Sequence, residues 1–147
     1  MATVEFFDRT MMETMALLAE SRRYLIDRAE SETKSRPVEH GLVSSMETMR
    51  LVARLTQVLA WLLTHRAVHV GEMTLWEATR PERRLGGHTL CNKDISDEDP
   101  DLPDELRRLL QRSLSLYQRV SRLDIQAARA AEMEPQGRVS GERPKLH

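Results

Sequence analysis

Between Val38 and Gly71 the sequence spells a helix that is apolar over most of its circumference, and this segment most limits the fold. Placed at 100° per residue, Leu42, Met46, Met49, Ala53, Thr56, Ala60, Leu63 and Ala67 form one stripe. Leu51, Leu55, Val58 and Leu62 form a second stripe on the far side, and Val52 and Leu59 help to join the two. Only Glu47, Arg50, Arg54, Gln57 and His65 make a narrow polar strip. Gly71 is the natural stop, because glycine accepts the left-handed conformation just past a helix end. At 1.5 Å per residue such a helix is about 45 Å long. It must be buried on more than one side, and a single partner helix cannot cover it.

Two more long helices can supply cover. Over residues 3–30, Val4, Phe7, Met11, Met15, Leu18, Arg22, Leu25 and Ala29 recur at three- and four-residue steps. Residues 31–37 are polar and end in proline, which marks a connection. Over about 102–132, Leu106, Leu109, Leu110, Leu114, Tyr117, Val120, Leu123 or Asp124, Ala127 and Ala131 carry a third stripe. Asp101 reads as its N-cap and Pro103 as part of its first turn, with Asp104 and Glu105 favoured by the helix dipole.

Residues 71–100 form a long connection, of the kind that often carries function. Thr74-Leu75-Trp76-Glu77 matches a capping box, so a short helical turn is expected there. Leu85-Gly86-Gly87-His88 reads as a flexible turn. Residues 92–105 hold seven acids against one lysine. The expected fold is all-α: an antiparallel three-helix bundle over residues 1–133, with a long loop between its second and third helices and a flexible tail over 134–147. The first and third helices bury two sectors of the central one. The sector left over needs a further cover, and a symmetric homodimer through the central helix, at Leu51, Leu55, Val58 and Leu62, or through the first helix is the expected source.

Charge and motifs narrow the function. The net charge of −1 makes no case for nucleic acid or an anionic membrane, and the arginines of the third helix spread around its circumference. Cys91 is the sole cysteine, so no internal disulfide can form, which fits a reducing cytosol. The chain opens on charged residues rather than a signal peptide, and its densest apolar run falls short of the ~20 residues that span a bilayer. A cytoplasmic protein is expected. No phosphate-binding loop or nucleophile elbow occurs. His65 and His69, one helical turn apart, could hold zinc with His88 and Cys91. Yet the stretch reads HRAVH, without the glutamate of a metalloprotease helix, and Cys91 has no second cysteine. Histidines near a helix C-terminus and a solvent-facing loop thiol are the plainer readings. A small metal-binding protein or enzyme and a helical nucleic-acid-binding regulator stand as alternatives to an interaction module.

Trp61 falls in the polar strip of the central helix. It is either covered by the 71–100 loop or exposed, and an exposed Trp flanked by Arg has the composition of a binding hot spot. The candidate partner surface is Arg50, Arg54, Trp61, His65, Glu72 and Met73. Adaptable methionines at Met11, Met12, Met15, Met46, Met49 and Met73 would let one surface accept several partners, although helical spacing also suits the first five to a core.

The three helical segments, in order and spacing, resemble a known family. SMETMRLVARLTQVLAWLLTHRAVHVGEMT (45–74), VEFFDRTMMETMALLAESRRYL (4–25) and LPDELRRLLQRSLSLYQRVSRLD (102–124) are similar to the alphaproteobacterial RcdA family, regulators of CtrA degradation, formerly a domain of unknown function. The resemblance implies a dimerising three-helix bundle without catalytic activity or cofactor. It implies an adaptor that tethers cell-cycle regulators for degradation by ClpXP. The partners implied are a protease-priming response regulator, a cyclic-di-GMP effector and the substrate proteins.

Overall fold

The structure is a computed structural model that describes residues 4–27, 38–93, 100 and 102–134, with the backbone alone at 38–41. Three long helices dominate: α1 (Val4–Asp27), α2 (Val38–His69) and α5 (Asp104–Glu132). Between the last two lie α3 (Leu75–Ala78), a 3-10 turn (Pro81–Arg83) and α4 (His88–Cys91). The all-α expectation holds. The expected tail over 134–147 and the Asp101 cap lie outside the described residues, apart from Glu134.

Local signals act as the sequence reads. Gly71 has φ 81°, and α2 ends around it with Gly71 N–H donating to Val68 O at 3.1 Å and Glu72 N–H to Ala67 O at 2.9 Å. These are the paired bonds of a Schellman stop. Thr74 caps α3, its hydroxyl accepting from Glu77 N–H at 3.1 Å.

The helix directions differ from the expected antiparallel bundle. α1 is antiparallel to α5, since Glu13 pairs with Arg119 at 2.8 Å and Glu20 with Arg112. It is antiparallel to α2 as well, with Phe7 lying against Trp61 and His69. But α2 and α5 run parallel: Arg54 reaches Leu110 O at 2.9 Å, and one stage further along both helices Trp61 reaches Asp124 at 2.9 Å. Parallel neighbours need a connection that returns the full length of the bundle. Residues 71–93 make that return, from the end of α2 back to the level of Arg50 and Arg54, and are built into the core through Leu75, Ala78, Leu85 and Cys91, all buried.

The two apolar stripes of α2 are buried the other way round from the expectation. Leu51, Leu55, Val58 and Leu62, assigned above to a dimer interface, are at most 1% exposed within the single chain and form its core. In the stripe opposite, Leu42, Met46, Met49 and Leu63 are 51–69% exposed. The polar strip is turned inward, with Glu47, Arg50, Arg54 and His65 at most 5% exposed. Residues 90–93 lie against that strip, and Arg50 and Arg54 meet the carbonyls they bring there.

The inward face of α1 is likewise rotated from the expected stripe. It is centred on Thr10, Thr14, Leu17, Ser21 and Tyr24, with Phe7, Met11, Leu18 and Leu25 at its edges, while Arg22 is exposed. Small side chains let the helix pack closely. The buried hydroxyls cost little because each donates to its own helix: Thr10 to Phe6 O, Thr14 to Thr10 O and Ser21 to Leu17 O, at 2.7–2.8 Å.

Candidate functional site

The polar strip of α2 is a row of anchors for the returning segment. Arg54 donates to Cys91 O at 2.7 Å, Lys93 O at 2.6 Å and Ser113 Oγ at 3.2 Å, besides Leu110 O. Arg50 donates to Leu90 O and pairs with Glu47 at 3.3 Å. Burial pushes the Glu47 carboxyl up, against the opposing pull of Arg50. Gln57 accepts from Gly86 N–H at 3.0 Å, and Tyr117 donates to Gly86 O at 2.8 Å. Burial raises the Tyr117 hydroxyl to about 12, so it stays a donor at any physiological pH. The Gly86-Gly87 pair is therefore a close approach, not merely a flexible turn. Gly87 has φ 76°, and a Cβ there would sit 3.0 Å from Cys91 Sγ.

These contacts correct the expected partner surface. Arg50 and Arg54 are spent inside the molecule. Trp61 is 2% exposed, stacked against His65 and Phe7, and donates to buried Asp124, whose other oxygen accepts from Arg84 at 2.8 Å. Glu72 remains exposed and Met73 half-buried. The exposed Trp beside an Arg exists elsewhere: Trp76 is 51% exposed with the Arg80 guanidinium 4.9 Å from its ring centre. The capping box places Trp76 in α3, but neither spacing nor composition shows that Trp76 rather than Trp61 is the exposed one.

Trp61 and His65, both buried, border one opening. Near the start of α1 and the ends of α2 and α5, a cup of about 530 Å³ is lined by Phe7, Trp61, His65, His69, Met73, Leu123 and Ala127, with Gln126 and Glu134 among its polar groups. The Trp61 and His65 rings stack with centres 3.9 Å apart, and Phe7 lies nearly parallel to both. His65 Nε2 is buried without a hydrogen-bond partner. Burial lowers the imidazole to about 4, Asp124 opposing and His69 adding, so it is neutral near pH 7.

The proposed zinc set is not assembled. His65 and His69 flank Phe7, whereas His88 sits edge-on to Tyr117. Among the described residues no group of three or more His, Cys, Asp or Glu side chains could hold a metal ion. Cys91 is buried rather than solvent-facing, and burial pushes its thiol up against Arg54 and Arg50, the reverse of an activated nucleophile. No helix among the described residues is long and apolar enough to cross a membrane.

Comparison with known proteins places the chain. A family model described as Protein of unknown function (DUF1465) matches residues 1–146. The chain belongs to this family. A search of curated proteins finds no match. Among solved structures, this DUF1465 chain is similar to the crystal structure of RcdA from Caulobacter crescentus CB15. The two are 36% identical, with a TM-score of 0.64, covering 86% of this chain and 93% of that one. This DUF1465 member is thus RcdA-like, as its three helical segments suggest.

Proposed function

We propose that this chain is a non-enzymatic adaptor of the cytoplasm that tethers cell-cycle regulators for degradation by ClpXP, as a dimer. The observation that carries the reading is the 36% identity to RcdA over most of both chains. The molecule's own chemistry is compatible with it: the polar constellations read from the sequence serve as internal struts, and several outer faces stay free for protein contacts. Such an adaptor gains its effect by raising the local concentration of cargo at the protease. Its partners are a protease-priming response regulator, a cyclic-di-GMP effector and the cargo proteins.

The self-association face is the exposed stripe of α2, Leu42, Met46, Met49, Val52 and Leu63, in place of the buried one. An exposed apolar stripe of this length marks an interaction site. Glu72 and Met73, at the turn after α2, remain candidate partner contacts. Reconstitution tests the whole reading: ClpXP, the response regulator and a cell-cycle cargo are mixed with increasing amounts of the chain. Cargo half-life should shorten several-fold and saturably. A half-life independent of the chain, across the cargoes of the host, overturns the adaptor.

A further inference from the structure

We propose that the cup at the meeting of α1, α2 and α5 is an anchor pocket for a neutral aromatic side chain with a polar edge, Tyr or Trp, presented by a partner polypeptide. The inference rests on the reading of the chain as a protein-interaction adaptor. Four rings, Phe7, Trp61, His65 and His69, are gathered there, and Leu123 and Ala127 supply the opposite wall. The volume of about 530 Å³ falls in the range that admits one compact ligand group. Among the described residues only two buried side-chain polar atoms lack a partner, Ser44 Oγ and His65 Nε2, and His65 belongs to this cup.

A buried nitrogen without a partner is a cost that an incoming hydroxyl or indole N–H removes. Trp61 is held by its bond to Asp124, and His65 by its stack on Trp61, so the ring groups that border the cup are fixed before anything binds. No Lys or Arg lines the cup, and Glu134 is its carboxylate. That balance disfavours carboxylated or phosphorylated rings. Tyr and Trp are the side chains that join a large ring to one hydrogen-bonding atom, and both dominate binding hot spots.

The test uses the full-length chain with ¹⁵N-labelled histidine. Toluene, p-cresol, N-acetyltyrosinamide and phenyl phosphate are titrated while the His65 imidazole nitrogens are followed by NMR. The expected result is that p-cresol and N-acetyltyrosinamide shift His65 at millimolar concentrations, at least several-fold more tightly than toluene or phenyl phosphate. Ala127→Trp should fill the cup and weaken both at least tenfold with the circular dichroism unchanged. His65→Phe should weaken p-cresol but not toluene.

Absence of any His65 response, or equal binding of toluene and p-cresol that survives His65→Phe, overturns the pocket. Binding of p-cresol without N-acetyltyrosinamide overturns the polypeptide source. A chain that accelerates cargo degradation yet leaves His65 unmoved loses only the pocket; one that binds the tyrosine amide but never alters degradation loses only the adaptor.

Discussion

Arg54 shows how a charge becomes a structural part. Its guanidinium serves three backbone carbonyls and the Ser113 hydroxyl, and its side chain is 1% exposed. Removing it strands those acceptors, each worth about 1–3 kcal/mol when buried and unmet. Arg54→Met should therefore lower stability by roughly 3 kcal/mol or more, read as a fall in the urea midpoint at constant m. Trp61→Phe keeps the ring but loses the indole N–H to Asp124. Its cost should be smaller, roughly 1–2 kcal/mol, because Asp124 keeps Arg84. At Gly87, alanine would meet both a left-handed backbone and the Cys91 sulfur. Gly87→Ala should destabilise by roughly 1–3 kcal/mol in thermal melts.

Among the elements, α2 carries the sharpest contrast. Leu55 and Met49 stand on different faces of it, 1% and 69% exposed. Leu55→Ala should cost about 2–5 kcal/mol, as truncation in a closed core does. Met49→Ala should fall within about 0.5 kcal/mol at a dilution where the chain is monomeric. Met49→Asp, in contrast, should leave the circular dichroism unchanged and abolish the proposed self-association in light scattering. If Met49→Asp remains dimeric, the association face lies elsewhere. The methionines follow the same division: Met12, Met15, Met46 and Met49 are all more than half exposed, so they are surface rather than core.

For the molecule as a whole, His65 ties stability to pH. Its folded value is lowered from 6.5 to about 4 by burial. The unfolded chain thus takes up a proton first as the pH falls. The contribution is complete above pH 6.5, declines between 6.5 and about 4, and is lost below that. Over this window it amounts to roughly 3 kcal/mol. Asp124 and His69 face the same ring and pull in opposite directions. Urea unfolding at a series of pH values should show this slope, and His65→Phe should flatten it. A slope unchanged in the variant would assign the pH dependence to other groups.

Much of this molecule was determined within the sequence. The three long helices follow from periodicity, and the α2 stop and the α3 cap follow from Gly71 and Thr74, because these signals act over one or two turns of chain. Which residues share a face of α2 was legible for the same reason. Which face turns inward was not. A long arginine has an apolar stem and several donors, so a polar strip can be buried wherever carbonyls arrive to meet it. Those carbonyls belong to residues about 40 positions away, on a segment whose path depends on α2 and α5 being parallel. That direction also decides that Trp61 meets Asp124, that His65 is left with an unpartnered nitrogen, and that Leu51 rather than Met49 lies in the core. Helical spacing fixes angles around one axis, whereas only the packed chain fixes how the axes are set against each other.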